Sequence, residues 1–162
     1  MKTIIPAALA LFLALMVCDM NAQSTAPLRG VKAVQVDPTV VAKPDKVKEP
    51  SAPNLVQDSL KNALRTANID IADSAPIRAH IVLDEFTSGS TAKRFLVGFG
   101  AGRSTVTCHL VLQDADGKEL HSTKIHVRGN LVWSPYQGNN TQRRQAVTSY
   151  EQKLLEEIER MK

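Results

Sequence analysis

Cysteine is scarce in this chain: Cys18 and Cys108 are its only two in 162 residues. Cys18 lies just past an N-terminal apolar run. Cys108 is the one left if that run is removed, so no intramolecular disulfide can form and the domain must stand on its hydrophobic core. Runs of Lys or Arg are also absent. The net charge is a mild +4, with no stripe that would track a phosphate backbone. Nucleic acid is therefore excluded as a partner. Outside the N-terminus there is no long apolar stretch, and the chain has no internal repeat.

What the chain does have begins at Met1. Lys2 gives a short positive region, Ile4 to Val17 is apolar and uncharged, and Ala22 offers a small residue for cleavage before Gln23. The run is shorter than the ~20 apolar residues that a membrane span needs. Met1 to Ala22 is read as a secretory signal peptide. The mature chain then works outside the cytoplasm, in the periplasm or beyond, where ATP-driven and nicotinamide chemistry are not expected. Cys18 opens a second route, as the lipidated cysteine of a membrane-anchored lipoprotein. The residues before it, Leu15, Met16 and Val17, are larger than that processing favours.

Residues 23–162 are enough for a single domain with its own core. Val31 to Val36 is a short strand candidate. Residues 37–53 hold four prolines and several lysines and read as an extended linker or loop without regular structure. A helix is expected from Pro53 or Asn54, because Val56, Leu60, Ala63, Leu64 and Ala67 form one stripe at helical spacing. Asn68 is a natural terminator. Ile69 to Ala72 suggests a short strand before the turn at Ser74-Ala75-Pro76.

Three longer strands follow: Arg78 to Phe86, Arg103 to Gln113 and Leu120 to Val127. In the second, Val106, Cys108, Leu110 and Leu112 alternate with polar residues, which marks a sheet with one buried face. In the third, Thr123, Ile125 and Val127 point inward. Asp116-Gly117 signals the hairpin between them. Gly129 to Asn140 reads as a loop. Val147, Tyr150, Leu154, Ile158 and Met161 then step at helical spacing, with Asn139, Asn140 or Thr141 as cap and Glu156 placed to pair with Arg160. The expected fold is α+β: an antiparallel or mixed sheet of about four to five strands with two helices packed on one face.

Asp84 to Leu120 reads DEFTSGSTAKRFLVGFGAGRSTVTCHLVLQDADGKEL. It resembles the bacterial domain-of-unknown-function family 4410 in its acidic strand end, Gly-Ser turn, basic residue, GFGAGRS string and Asp-Gly hairpin. Gly89, Ser90, Arg94, Gly98, Gly100, Gly102, Arg103, Asp114 and Gly117 carry the likeness. The resemblance implies a small exported protein of the cell envelope, often lipidated. By analogy of fold it also implies a small α+β domain like those of envelope assembly factors, which does not establish an activity.

Gly98, Gly100 and Gly102 do not form a dinucleotide fingerprint. That motif opens a helix, whereas Arg103 begins a strand, and no P-loop lysine follows. The glycines instead suit a loop with positive φ or close backbone approach. Within it Phe95, Leu96, Val97 and Phe99 form an apolar tip flanked by Lys93, Arg94 and Arg103. Such a tip fits a partner groove or a membrane surface. The alternative is that these rings fold back into the core.

A second class of function rests on histidine. Pairing through Asp116-Gly117 sets His109 opposite Lys124 and Thr107 opposite His126, and His80 shares their outward parity. Three histidines on adjacent strands could ligate a transition metal, although Lys124 would repel a cation and no orienting carboxylate is evident. Asp84 and Glu85, as neighbours in a strand, are expected on opposite faces, which rules out a paired-carboxylate site. Ser104 and Ser122 lie in strands without a nucleophile elbow. Trp133 and Tyr136 are read as sealing the core beneath the last helix. Cys108 is expected to be buried and inert.

The sequence therefore favours a non-enzymatic exported protein without cofactor or metal. Its partner would be an envelope protein or a second copy of itself, with peripheral or lipid-mediated membrane association allowed. Arg94, Phe95, Leu96, Val97, Gly98, Phe99, Gly100, Gly102 and Arg103 are the candidate contact residues.

Overall fold

A computed structural model describes residues 26–88, 103–129 and 139–162. The chain runs through β1 (Ala33–Val36), β2 (Val40–Val41), α1 (Ala52–Thr66), β3 (Asp70–Ile71), β4 (Ile77–Thr87), β5 (Thr105–Asp114), β6 (Glu119–Arg128) and α2 (Asn139–Arg160). The class is α+β, with a mixed six-stranded sheet in the order β3-β1-β4-β5-β6 and β2 paired to β4 beside it.

The stripe of α1 packs as its spacing demands: Val56, Leu60, Ala63 and Leu64 are all buried. Asn68 ends the helix in the left-handed region, with φ 58°. Its amide donates to the Arg65 carbonyl at 3.0 Å, and that of Ile69 donates to the Leu64 carbonyl at 2.9 Å. These two bonds satisfy carbonyls that the helix end would leave unpaired, and buried Ile69 packs beyond them. Asn tolerates this backbone because its short polar side chain costs little there. Asn68→Val should lower stability by about 1–2 kcal/mol and Asn68→Gly should leave it unchanged or higher. Thermal melts of the two variants check this.

The proline-rich segment departs from expectation. It is not a free linker. Its β2 pairs parallel to β4 through Val40 with Val82 and Val41 with Leu83. The Asp37 amide donates to the Ala79 carbonyl at 2.9 Å, that of Ala42 to Leu83 at 2.9 Å and that of Lys48 to Phe86 at 3.4 Å. Pro44–Lys46 adds one 3-10 turn. Residues 37–48 thus follow one edge of β4 as an interrupted strand. Proline cannot donate to a ladder, so it is tolerated where the other side of a strand is unpaired. The prolines set the interruptions and do not abolish pairing.

β4, β5 and β6 form an antiparallel meander. Gly117 turns the second hairpin at φ 84°, where the Asp114 carboxylate accepts the amides of Asp116 at 3.0 Å and Lys118 at 2.9 Å. The core-facing rows are Ile77, Ala79, Ile81, Leu83 and Phe86 on β4, Val106, Cys108, Leu110 and Leu112 on β5, and Ile125 and Val127 on β6. Thr123 is half-buried.

α2 closes this core with Tyr150, Leu154, Ile158 and Met161, joined by Ala146. Asn139, Asn140 and Thr141 all lie within the helix as its first residues. Arg160 pairs with Glu157 at 3.1 Å in place of the expected Glu156. Both ends of the described chain meet here: the Leu28 amide donates to the Met161 carbonyl at 2.9 Å. The Lys162 ammonium donates to the Ala67 carbonyl, also at 2.9 Å.

Candidate functional site

Of the nine candidate contact residues, Arg103 is described. Arg94, Phe95, Leu96, Val97, Gly98, Phe99, Gly100 and Gly102 lie outside the described residues, as do Trp133, Tyr136 and Cys18. The structure does describe what frames residues 89–102. β4 and β5 end side by side, with Thr87 opposite Thr105. Ser104, itself buried, donates its hydroxyl to the Ser88 carbonyl at 2.9 Å. The Thr105 amide donates to the Thr87 hydroxyl at 3.2 Å. The Gly129 amide reaches the Ser104 carbonyl at 2.8 Å, tying the end of β6 to the same place. The segment therefore leaves from and returns to a hydrogen-bonded base at one end of the sheet.

The outer sheet face holds the histidine array. His109 sits opposite Lys124 and Thr107 opposite His126, as the hairpin register requires. His80 lies opposite Val111. A β-bulge between Leu83 and Glu85 changes the rest of the expectation. One extra residue there makes Asp84 and Glu85 share the outer side and returns Phe86 to the core. They are not on opposite faces. Asp84 then meets His109 Nε2 at 3.2 Å and Lys43 Nζ at 3.3 Å. A carboxylate does orient His109, contrary to the sequence reading.

His126 is engaged separately, with Nδ1 2.8 Å from the Thr107 hydroxyl. Among the described residues no three of His, Cys, Asp and Glu come together in a metal-holding group. His80, His109 and His126 share a face without converging on a point.

The sequence does carry a sign of the bulge. Apolar residues fall at 77, 79, 81 and 83 and then at 86, a slip of one that a regular strand cannot accommodate. Lys43 could not have been placed at Asp84 without knowing that residues 37–48 pair with β4. A second anchor at the start of this segment joins Arg78 to Asp37 at 2.9 Å. Beyond its other end, Arg143 of α2 meets Glu49 at 2.8 Å.

Cys108 is buried as expected. Burial pushes its thiol up to about 12, and the Tyr150 hydroxyl beside the sulfur offsets only part of that rise. Their separation is 3.4 Å. A thiol that keeps its proton is neither a nucleophile nor a ligand at neutral pH.

The architecture is thus an α+β layer, helices on one face of a mixed sheet and an ion-paired polar surface on the other. Residues 27–130 match the family described as a domain of unknown function, DUF4410, and the chain belongs to that family. Among curated proteins none matches the sequence. Among solved structures, the PelC dodecamer from Paraburkholderia phytofirmans is similar, with TM-score 0.55, 18% identity and coverage of 79% of this chain and 89% of that one. A crystal structure of an uncharacterized protein is similar at TM-score 0.57 and 9% identity, covering 81% of this chain and 92% of the other. At these identities the likeness is one of fold.

Proposed function

We propose that this chain is an exported, non-enzymatic protein of the cell envelope that assembles with copies of itself and contacts an envelope protein through the segment Arg94 to Arg103. The observation that carries the reading is the hydrogen-bonded base under that segment, where Ser104 and Thr105 are held to Ser88 and Thr87. These bonds fix the strand ends on either side of the segment. The intervening residues combine Phe95, Leu96, Val97 and Phe99 with the basic Lys93, Arg94 and Arg103, a composition suited to docking. Self-assembly is supported by the fold it shares with PelC, whose structure is a dodecamer. Export is supported by the apolar run between Lys2 and Ala22.

Each part has its own test. Intact mass of the protein from its host should begin at Gln23, or at an acylated Cys18 in the membrane fraction; a cytosolic chain beginning at Met1 would overturn export. Sedimentation velocity of the mature chain should give a multiple of the protomer mass, and a monomer at all concentrations would end the self-assembly reading. A photocrosslinking phenylalanine analogue in place of Phe99 should capture an envelope protein in living cells. Crosslinks confined to the chain's own core would show that the ring is structural.

A further inference from the structure

We infer that copies of this chain join head to tail, the basic β6 edge of one meeting the acidic β3 edge of the next. The inference rests on the self-assembly reading above and names the surfaces that would build it. In the order β3-β1-β4-β5-β6 the two ends of the sheet are β3 and β6. Among the described residues no strand pairs with the outer side of either. An open edge is a row of backbone donors and acceptors ready for another chain.

The two edges differ in charge. On β6, Lys124, His126 and Arg128 are exposed and alternate along the solvent face. On β3, Asp70 is exposed and paired with Ala33. The neighbouring row is Val34 and Ile71, and Val34 is fully buried. Asp70 therefore faces the same solvent side as the β6 cations, and exposed Asp73 follows closely. Asp70 and Ala72 donate their amides to β1 at 2.8 and 3.2 Å. Strand alternation then turns the peptide groups of Ile71 toward the open edge.

Direction fits as well. β6 is antiparallel to β5, which is antiparallel to β4, and β4, β1 and β3 are mutually parallel. β3 and β6 thus point the same way, so copies related by rotation about one axis would meet in a short parallel pairing. A contact between two different patches generates rings when the rotation closes.

Charge also disfavours the competing two-fold arrangements. Pairing β6 with its own copy centred on Lys124 sets two ammonium groups opposite each other. Centred on His126 it sets Lys124 against Arg128. Lysine on an edge is a common device against this kind of self-pairing. Exposed ion pairs add little affinity one by one, but they select orientation and partner.

The test is a charge swap in the full mature chain. Lys124→Glu with Arg128→Glu, and separately Asp70→Lys with Asp73→Lys, should each reduce the assembled fraction in sedimentation velocity by at least about tenfold. All four side chains are exposed, so circular dichroism and melting should stay at parent values. An equimolar mixture should recover assembly, because the now acidic β6 of one variant complements the now basic β3 of the other, and their unaltered edges complement each other. Parent-like assembly of either variant alone overturns the inference, as does a mixture that stays dissociated while both variants are folded. Loss in the β6 variant only would mean that this edge meets an acidic surface of the chain other than β3, and so overturn the head-to-tail pairing. A parent protein that never assembles would instead refute the self-assembly reading on which this one rests.

Discussion

Tyr150→Ala is expected to remove a large share of the stability of this fold. Tyr150 is fully buried and is among the largest such side chains in the core. It sits on the α2 stripe with Leu154 and Ile158 and meets Cys108 of β5 at 3.4 Å. Truncating a buried aromatic costs about 3–5 kcal/mol, through lost transfer energy and the cavity left behind. Domains of this size are stable by only about 5–15 kcal/mol, so the loss is a large share of the total. Tyr150→Phe isolates the hydroxyl. It keeps the ring and removes only the weak bond from the thiol, so it should cost about 1 kcal/mol or less. Chemical denaturation of the two variants separates packing from hydrogen bonding. A Tyr150→Ala midpoint equal to that of the parent would mean that α2 does not hold the sheet.

That α2 could be placed on the sheet at all was legible in its sequence. Its stripe is long and regular, and burial follows it from Tyr150 to Met161. The same holds for Asn68, where a terminator in the sequence became a left-handed cap, and for the register that set His109 opposite Lys124. In each case the determinant is local: a helical period, a turn residue or a hairpin. The failures share a different cause. Residues 37–48 carry no apolar alternation, and their regular structure comes from β4, which follows some forty residues later. The pairing of Asp84 with His109 and Lys43 depends on that contact and on the bulge together. Arg160 chose Glu157 over Glu156, a choice between neighbours on an exposed turn where either spacing works. Of the candidate contact segment Arg94 to Arg103, Arg103 alone is among the described residues.

Alkaline solution should destabilise the protein through Cys108 and Tyr150. Burial raises both groups: the thiol is pushed from 9.0 up to about 12, and the phenol well above 10. Unfolding returns them to water, where they ionise near their ordinary values. Below pH ~9 both states hold both protons and stability does not depend on these groups. Above it the unfolded chain releases the thiol proton while the native chain keeps it, so the unfolded state binds fewer protons and stability falls as pH rises. Each such group steepens the fall by about 1.4 kcal/mol per pH unit. For Cys108 the window closes near pH 12, where the native thiol also ionises, after a loss of ~4 kcal/mol. Cys108→Ala should be less stable than the parent at neutral pH, because it leaves a small void beside Tyr150. Its stability should nevertheless decline less steeply above pH 9, by about 1.4 kcal/mol per unit. Urea titrations at stepped pH read both effects together. Equal slopes in parent and variant would mean that the thiol ionises alike in both states, which a side chain sealed between α2 and the sheet does not permit.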